Sequence, residues 1–306
     1  MAKYLDPKAD LTFKKVFGEH KDLLISLLNA LLPLKDGQEI VSIEYMSSEL
    51  FPDTPFKKDS IVDVRCVDTH NRDFLVEMQM FWTSAFRHRA LFNTAKAVSR
   101  QLDAGAPYRE LRPVYTLSLV NDIAFPDTER FYHHYLPTEQ ADPTQVIEGF
   151  NMIFVELPKF AEWQTRHGSD ASLVSDGMVK ISTQTFKRLA VLWCRFLTEI
   201  NEHTTYVDGT LLAEDDLRKA IDLIKDSAYT DAERLAYDRY WDMVSRERTI
   251  LEEVEFRGEA KGRAEGRAEG RAEGVITTAR NFKALGIPAE MIAQATGLTL
   301  AEIEAL

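Results

Sequence analysis

Ser60–Met80, SIVDVRCVDTHNRDFLVEMQM, decides how this chain is read. Val62, Val64 and Cys66 alternate with Asp63 and Arg65, and Val76, Met78 and Met80 alternate with Glu77 and Gln79. Each run has period two, with one apolar and one polar side, as a strand does. Between them Asp68–Asp73, DTHNRD, is turn material. In an antiparallel pair, directly opposed residues share a face, so burying both apolar sides together requires even positions to oppose even positions. Asp63 then lies opposite or diagonal to Glu77, and Gln79 points the same way. Two carboxylates and an amide gathered like this suit a hard divalent cation such as Mg²⁺. A solvated strand face carries the same alternation of acids, and spacing alone does not separate the two.

The rest of the composition narrows the class. The 306 residues leave room for one large domain or two ordinary ones, and 45% hydrophobic content is ample for a core. A formal charge of −12 argues against indiscriminate nucleic-acid binding over the whole surface but permits a local basic groove. Cys66 and Cys194 stand far apart in apolar contexts and read as buried free thiols of a reducing compartment. MAKYLDPKAD at the start lacks an apolar leader, and no apolar run approaches membrane-spanning length. A cytoplasmic protein with no membrane partner is expected.

Outward from the hairpin, Asp10 is a candidate helix cap. Phe13, Val16, Phe17, Leu24, Leu27, Leu28 and Leu31 follow at helical spacing, with a break expected at Gly18 and a stop at Pro33. Lys14 and Lys15 read as phosphate contacts or as solvated lysines. Glu39–Met46 is a predicted strand, followed by an irregular Pro-containing segment to Lys58. A long helix is expected from Thr83 or Ser84 to about Asp103. Leu91, Ala95, Val98 and Leu102 form its expected core stripe; Arg89, Asn93, Lys96 and Arg100 form a second, basic stripe. That stripe could hold a phosphate backbone or be an ordinary wet face. Arg112–Val120 reads as a central strand, with further strands over 130–136 and 147–157. His133 and His134 are adjacent and so face opposite sides of a strand, which argues against a shared metal. Gln184–Asn201, Glu214–Lys225 and Asp231–Phe256 have helical patterns, without a Gly-rich phosphate loop or a nucleophile elbow.

Residues 258–274, GEAKGRAEGRAEGRAEG, repeat every four residues. On a helix the repeat gives Gly, Arg, Ala and Glu stripes. Arg and Glu two apart cannot pair within the helix, and Gly weakens it. The segment reads as a linker or as an oligomerisation helix, Arg stripe against Glu stripe. Ile287–Leu306 resembles a helix-turn-helix, turning at Thr296-Gly297 with Thr299 as second cap. Its second helix carries two glutamates and no Lys or Arg, so it suits a protein partner better than DNA.

FKKVFG near the start, Asp63, VEMQ at 76–79, FRHRAL at 86–91, QLDAGAPYRELRPVY at 101–115 and FVELPKF at 154–160 together resemble the recombination-promoting nuclease family of bacterial transposase-like proteins, within the PD-(D/E)XK nuclease superfamily. The resemblance covers roughly residues 8–160. It implies an α/β fold: a restriction-endonuclease-like mixed sheet of four or five strands flanked by helices, with a helical C-terminal appendage. The expected layout is a nuclease core over 1–160, a helical extension over 161–257, the repeat over 258–274 and a small helical module over 275–306. Carried over, Asp63 and Glu77 would ligate Mg²⁺, or Mn²⁺ or Ca²⁺, with the Met78 carbonyl as a third ligand. Asp63, Glu77 and Gln79 would be catalytic. Gln79 stands where the superfamily name has lysine, and can hydrogen-bond a water but not polarise it by charge. A first-helix acid, Asp10 or Glu19, would join them, and Lys14, Arg89, Lys96 and Arg100 would contact DNA. The implied activity is a Mg-dependent DNA endonuclease serving recombination, transposition or phage defence. A homo-oligomer through repeat and tail, and a protein inhibitor, are the implied further partners. A catalytically idle DNA-binding accessory protein, or an interaction protein built on the tail, are the competing classes.

Overall fold

The computed structural model describes residues 4–47, 49–50, 60–103, 105–167, 174–175, 178–181 and 184–306. The segment expected to run irregularly to Lys58 lies largely outside them. The chain forms two compact units, Met1–Asp242 and Met243–Leu306.

The first unit opens with α1 (Asp10–Phe13), a π-helical turn over Lys14–Gly18 and α2 (Lys21–Leu31). The helix does change character at Gly18, but Ala9 is its cap and Asp10 its first residue. β1 (Ile43–Tyr45), the short β2 (Glu49–Leu50) and β3 (Ser60–Ile61), β4 (Val64–Asp68) and β5 (Asp73–Gln79) follow. Then come α3 (Ser84–Ser99), β6 (Val114–Val120), β7 (Tyr132–Tyr135), β8 (Phe150–Glu156) and α4 (Leu157–His167). The unit closes with β9 (Val174–Ser175), β10 (Met178–Ile181), β11 (Gln184–Lys187), α5 (Arg188–Glu199), α6 (Gly209–Leu212), α7 (Asp215–Leu223) and the start of α8 (Asp231–Ala284). The helix expected from Gln184 thus begins four residues later, because Lys187 is still extended and β11 pairs with β10.

The main sheet is mixed and six-stranded, in the order β1-β4-β5-β6-β8-β7. β5, β6 and β8 are parallel, and β1, β4 and β7 run against their neighbours. β6 is internal and buried along its whole length, as its apolar composition requires. β4 and β5 pair even with even, Val64 opposite Val76 and Cys66 opposite Phe74. The turn between them places Asn71 at φ 58°, a conformation Asn tolerates.

One face of the sheet carries Val64, Cys66, Phe74, Val76, Leu117 and Leu119 into the main core, against α2 and α5. Trp193 of α5 is fully buried there and packs on Phe17. The opposite face is covered by α3. Val62 belongs to that side, with Leu75, Ala97 and Val114. The chain bends at Asp63, so Val62 does not continue the Val64–Cys66 row.

α3 corrects the expected helix face. Phe86, Ala90, Asn93, Thr94 and Ala97 are buried, whereas Leu91 is 48% and Phe92 44% exposed. Small alanines let the helix lie close to the sheet, and the two buried polar residues are paired: Thr94 with Thr116, Asn93 with Glu77. Thr83 caps the helix by accepting from the Phe86 amide.

α8 runs on through the repeat to Ala284. The first repeat unit, Gly-Glu-Ala-Lys, reverses the charge order of those after it. Glu259 therefore meets Arg263 at 2.7 Å and Lys261 meets Glu265 at 3.7 Å, i,i+4 pairs that the uniform-repeat reading denied. In the second unit, Ala279 of α8 packs with Ile292 of α9 (Ala289–Thr296) and Ile303 of α10 (Leu300–Glu304). Gly297 ends α9 at φ 76° and Thr299 opens α10 with a complete capping box, the turn and cap expected of that tail. No helix among the described residues is long and apolar enough to cross a membrane.

Candidate active site

The alternation that buries Val76 in the main core and packs the half-buried Met78 against it sends Leu75, Glu77 and Gln79 toward α3. In the β5–β6 register Glu77 lies beside Ser118, and Ser118 beside Phe154. The β4–β5 pairing ends at Val64 opposite Val76, and the bend at Asp63 carries its carboxyl to the neighbouring backbone of β5. Asp63 Oδ2 accepts the Met78 backbone N–H at 2.6 Å. Glu77 is only 3% exposed, which removes the solvated-face reading of this acid.

Both carboxyls are held above their ordinary range. For Asp63 the main cause is burial, with Asp10 adding to it; the Met78 amide, Lys14 and Arg89 pull the other way. Burial likewise dominates for Glu77; Arg89 and Asn93 pull it down, but not enough to offset burial together with the smaller repulsion from Asp63.

Two α3 side chains hold Glu77. Asn93, one turn beyond Arg89, donates Nδ2–H to Oε1 at 2.8 Å. Arg89 Nη2 stands 3.5 Å from Oε2 and donates to Gln79 Oε1 at 2.9 Å. Gln79 in turn donates Nε2–H to the Phe81 carbonyl at 2.8 Å. Both ends of this amide are thus engaged, while one N–H and one lone pair remain over.

The other expected residues separate. Lys14 pairs with Asp10 at 2.8 Å, and both charges act on Asp63. Glu19 acts instead on Tyr45 and Tyr229, so Asp10 is the first-helix acid near the carboxylates. Lys15 donates to the Ala228 carbonyl and lies over the Tyr229 ring. Lys96 lies over the Phe92 ring, and Arg100 closes α3 as its C-cap. Arg100 is eleven residues beyond Arg89, about 16 Å at 1.5 Å per helical residue. Two neighbours of Glu77 were not expected there. Asn93, read in the sequence as part of a stripe that could hold phosphate or be a wet face, is buried against Glu77, and Ser118 has a buried Oγ with no hydrogen-bond partner among the described residues.

The loop after β6 is fixed beside the site. Glu156, fully buried at the end of β8, accepts from the Ala124 and Phe125 amides, pairs with His133 at 2.8 Å and takes the Lys159 ammonium at 2.9 Å. His133 thus serves this network, while His134 turns to Asn151. The Gln79 carbonyl accepts from the Asn121 amide, and Asp122 accepts from Trp82.

No group of three or more His, Cys, Asp or Glu among the described residues is arranged around a metal position. Two carboxylates are nevertheless a sufficient protein share for Mg²⁺, which keeps waters and takes substrate phosphate oxygens for the rest of its shell. The donors here are oxygens, their charge is not fully balanced, and an orphaned hydroxyl lies alongside. The set fits a hard divalent cation.

The profile of PD-(D/E)XK nuclease family transposases matches residues 7–252. The chain belongs to this family. No curated protein and no solved structure matches the chain. Membership in the PD-(D/E)XK family brings a nuclease-like role, with DNA as substrate class and a general dependence on divalent metal. A mixed sheet with flanking helices is the architecture that the sequence resemblance implied, with six strands where four or five were expected.

Proposed function

We infer that this PD-(D/E)XK protein is a metal-dependent DNA endonuclease whose carboxylates Asp63 and Glu77 hold a divalent cation. The observation that carries the reading is the bond of Asp63 to the Met78 amide beside the buried Glu77, each carboxyl pushed above the usual range chiefly by burial, with one guanidinium 3.5 Å from Glu77. The Met78 carbonyl is the third protein oxygen of this reading. A bound Mg²⁺, or Mn²⁺ or Ca²⁺ in its place, supplies a Lewis acid and an acidified water. Gln79 orients that water through its spare hydrogen-bonding positions. Arg89 brings the positive charge that Gln79 lacks and neutralises the phosphate where it meets Glu77. Asn93 holds Glu77 through Oε1. Asp10 and Lys14 border the site from the first helix, and Lys96 and Arg100 extend the phosphate contacts along α3.

The buried thiols Cys66 and Cys194, both pushed up to about 12 by burial, fit a reducing cytoplasm. Recombination or transposition and phage defence are the processes such an enzyme would serve. The exposed Arg and Glu stripes of α8 favour a homo-oligomer, and the acidic α10 gives a protein inhibitor or regulator a place to bind.

Calorimetric titration with Mn²⁺ tests the metal assignment without needing turnover. Binding in the wild type that disappears in Asp63→Asn and Glu77→Gln supports it. Equal binding in all three proteins refutes it. Mg²⁺-free DNA affinity should also fall as salt rises, through Lys14, Arg89, Lys96 and Arg100.

A further inference from the structure

The parallel strands of the main sheet have a second end. β5 spans seven residues, about 20 Å at ~3.3 Å each, so its first residue lies far from Gln79. At that end the segments entering β5, β6 and β8 and the loop after α2 enclose an open cavity of about 970 Å³. This is the upper part of the range that small-molecule sites occupy.

The cavity is built around a fixed cation. Arg72 is 6% exposed, donating Nε–H to Asp68 at 2.7 Å and Nη2–H to the Gln38 carbonyl at 2.8 Å. Its guanidinium carbon lies 5.7 Å from the Phe74 ring, and Phe74 stacks on Tyr115 with centroids 5.5 Å apart. Nη1 makes no hydrogen bond to the described residues. Lys35 and Arg112 also line the cavity, against one lining carboxylate, Glu148, which Lys35 meets at 2.8 Å. Arg72 is matched by Asp68 and Lys35 by Glu148, so the excess positive charge of the hollow is that of Arg112, which has no carboxylate partner among the described residues.

Its other wall suits a flat organic body. Tyr115 offers its hydroxyl, and His134 and Asn151 hold each other at 3.0 Å. Val146 and Ile147 line the cavity yet remain 40% and 74% exposed, apolar surface that an occupant would cover. Phosphate beside Arg72 and Arg112, with a ring system over Tyr115 and Ile147, matches this distribution of charge and apolar surface.

We propose that this cavity is a second ligand site, for a nucleoside phosphate, at the end of the sheet opposite Glu77. The nucleotide could be free or the 5′-terminal unit of a strand; both present the same group. The inference stands apart from the nuclease reading.

Titration calorimetry with adenosine and guanosine 5′-monophosphates, adenosine and a 5′-phosphorylated oligonucleotide tests it. One monophosphate should bind, at least tenfold tighter than adenosine. Arg112→Glu, at an exposed position, should weaken binding at least tenfold, and Tyr115→Phe should weaken it less. Asp63→Asn should leave it unchanged. An oligonucleotide that binds tighter than either monophosphate, and loses that advantage in Arg112→Glu, identifies the strand end as the occupant. The proposal is overturned by no binding of any phosphate at millimolar concentration. It is equally overturned by binding that Arg112→Glu leaves intact, or that Asp63→Asn removes.

Discussion

Glu77 is 3% exposed, and the groups around it offset the cost of burying its charge only in part. Its pKa and that of Asp63 are raised on folding, so the folded chain holds these protons more tightly than the unfolded chain. That contribution to stability is complete below the ordinary carboxylate range and is lost as pH rises through the raised values. At neutral pH the pair therefore weighs against folding, and Arg89, half exposed and 3.5 Å away, returns little of it. Glu77→Gln keeps the shape and the Asn93 contact; at pH 7.5 it should raise the thermal midpoint while removing cleavage, a trade of activity for stability. A midpoint below wild type in a calorimetric scan would contradict this. Asn93→Ala leaves Glu77 Oε1 without its donor and should cost about 10–100-fold in metal affinity or activity, as loss of a ligand's supporting hydrogen bond does. The side taken by Glu77 was legible in the sequence because the period-two pattern of β5 fixes which side chains share a face, whereas the bend at Asp63, which takes Val62 off the Val64–Cys66 row, was not. Nor were Asn93 and Ser118, because only the packing of α3 and β6 decides that these polar groups are buried.

Among elements, α3 and α8 show where periodicity misleads. Leu91 and Ala95 follow helical spacing as well as Ala90 and Ala97 do, and hydropathy favours the wrong pair. The face that docks is the one with small residues and with partners for its polar groups. β6 was legible for the opposite reason, since a run of apolar β-formers has both faces to bury. In α8, Gly262, Gly266 and Gly270 would each accept a Cβ with nothing within 4 Å. Replacing all three with Ala should stabilise the helix by about 1 kcal/mol per site, raising its melting temperature by circular dichroism. If these glycines instead let two α8 helices approach closely, the same variant should weaken self-association in sedimentation. Unchanged association would remove the glycines from the interface.

At the scale of the whole molecule, every residue assigned to the candidate site lies in the first compact unit. Deleting residues 258–306 should therefore leave metal binding and cleavage near wild type, while mass by light scattering should fall to that of one chain if repeat and tail assemble the protein. The family resemblance was readable because short motifs keep their order along the chain. The division after Asp242 was not, since α8 crosses it without a break in helical pattern. The central claim is that Asp63 and Glu77 form a metal-dependent phosphodiesterase site. Its most direct test is supercoiled plasmid incubated with the purified protein and Mg²⁺, beside EDTA and Asp63→Ala controls. The structure predicts nicking or linearisation that vanishes in both controls. Cutting that survives Asp63→Ala, or DNA that is bound but never cut with any divalent metal, would contradict it.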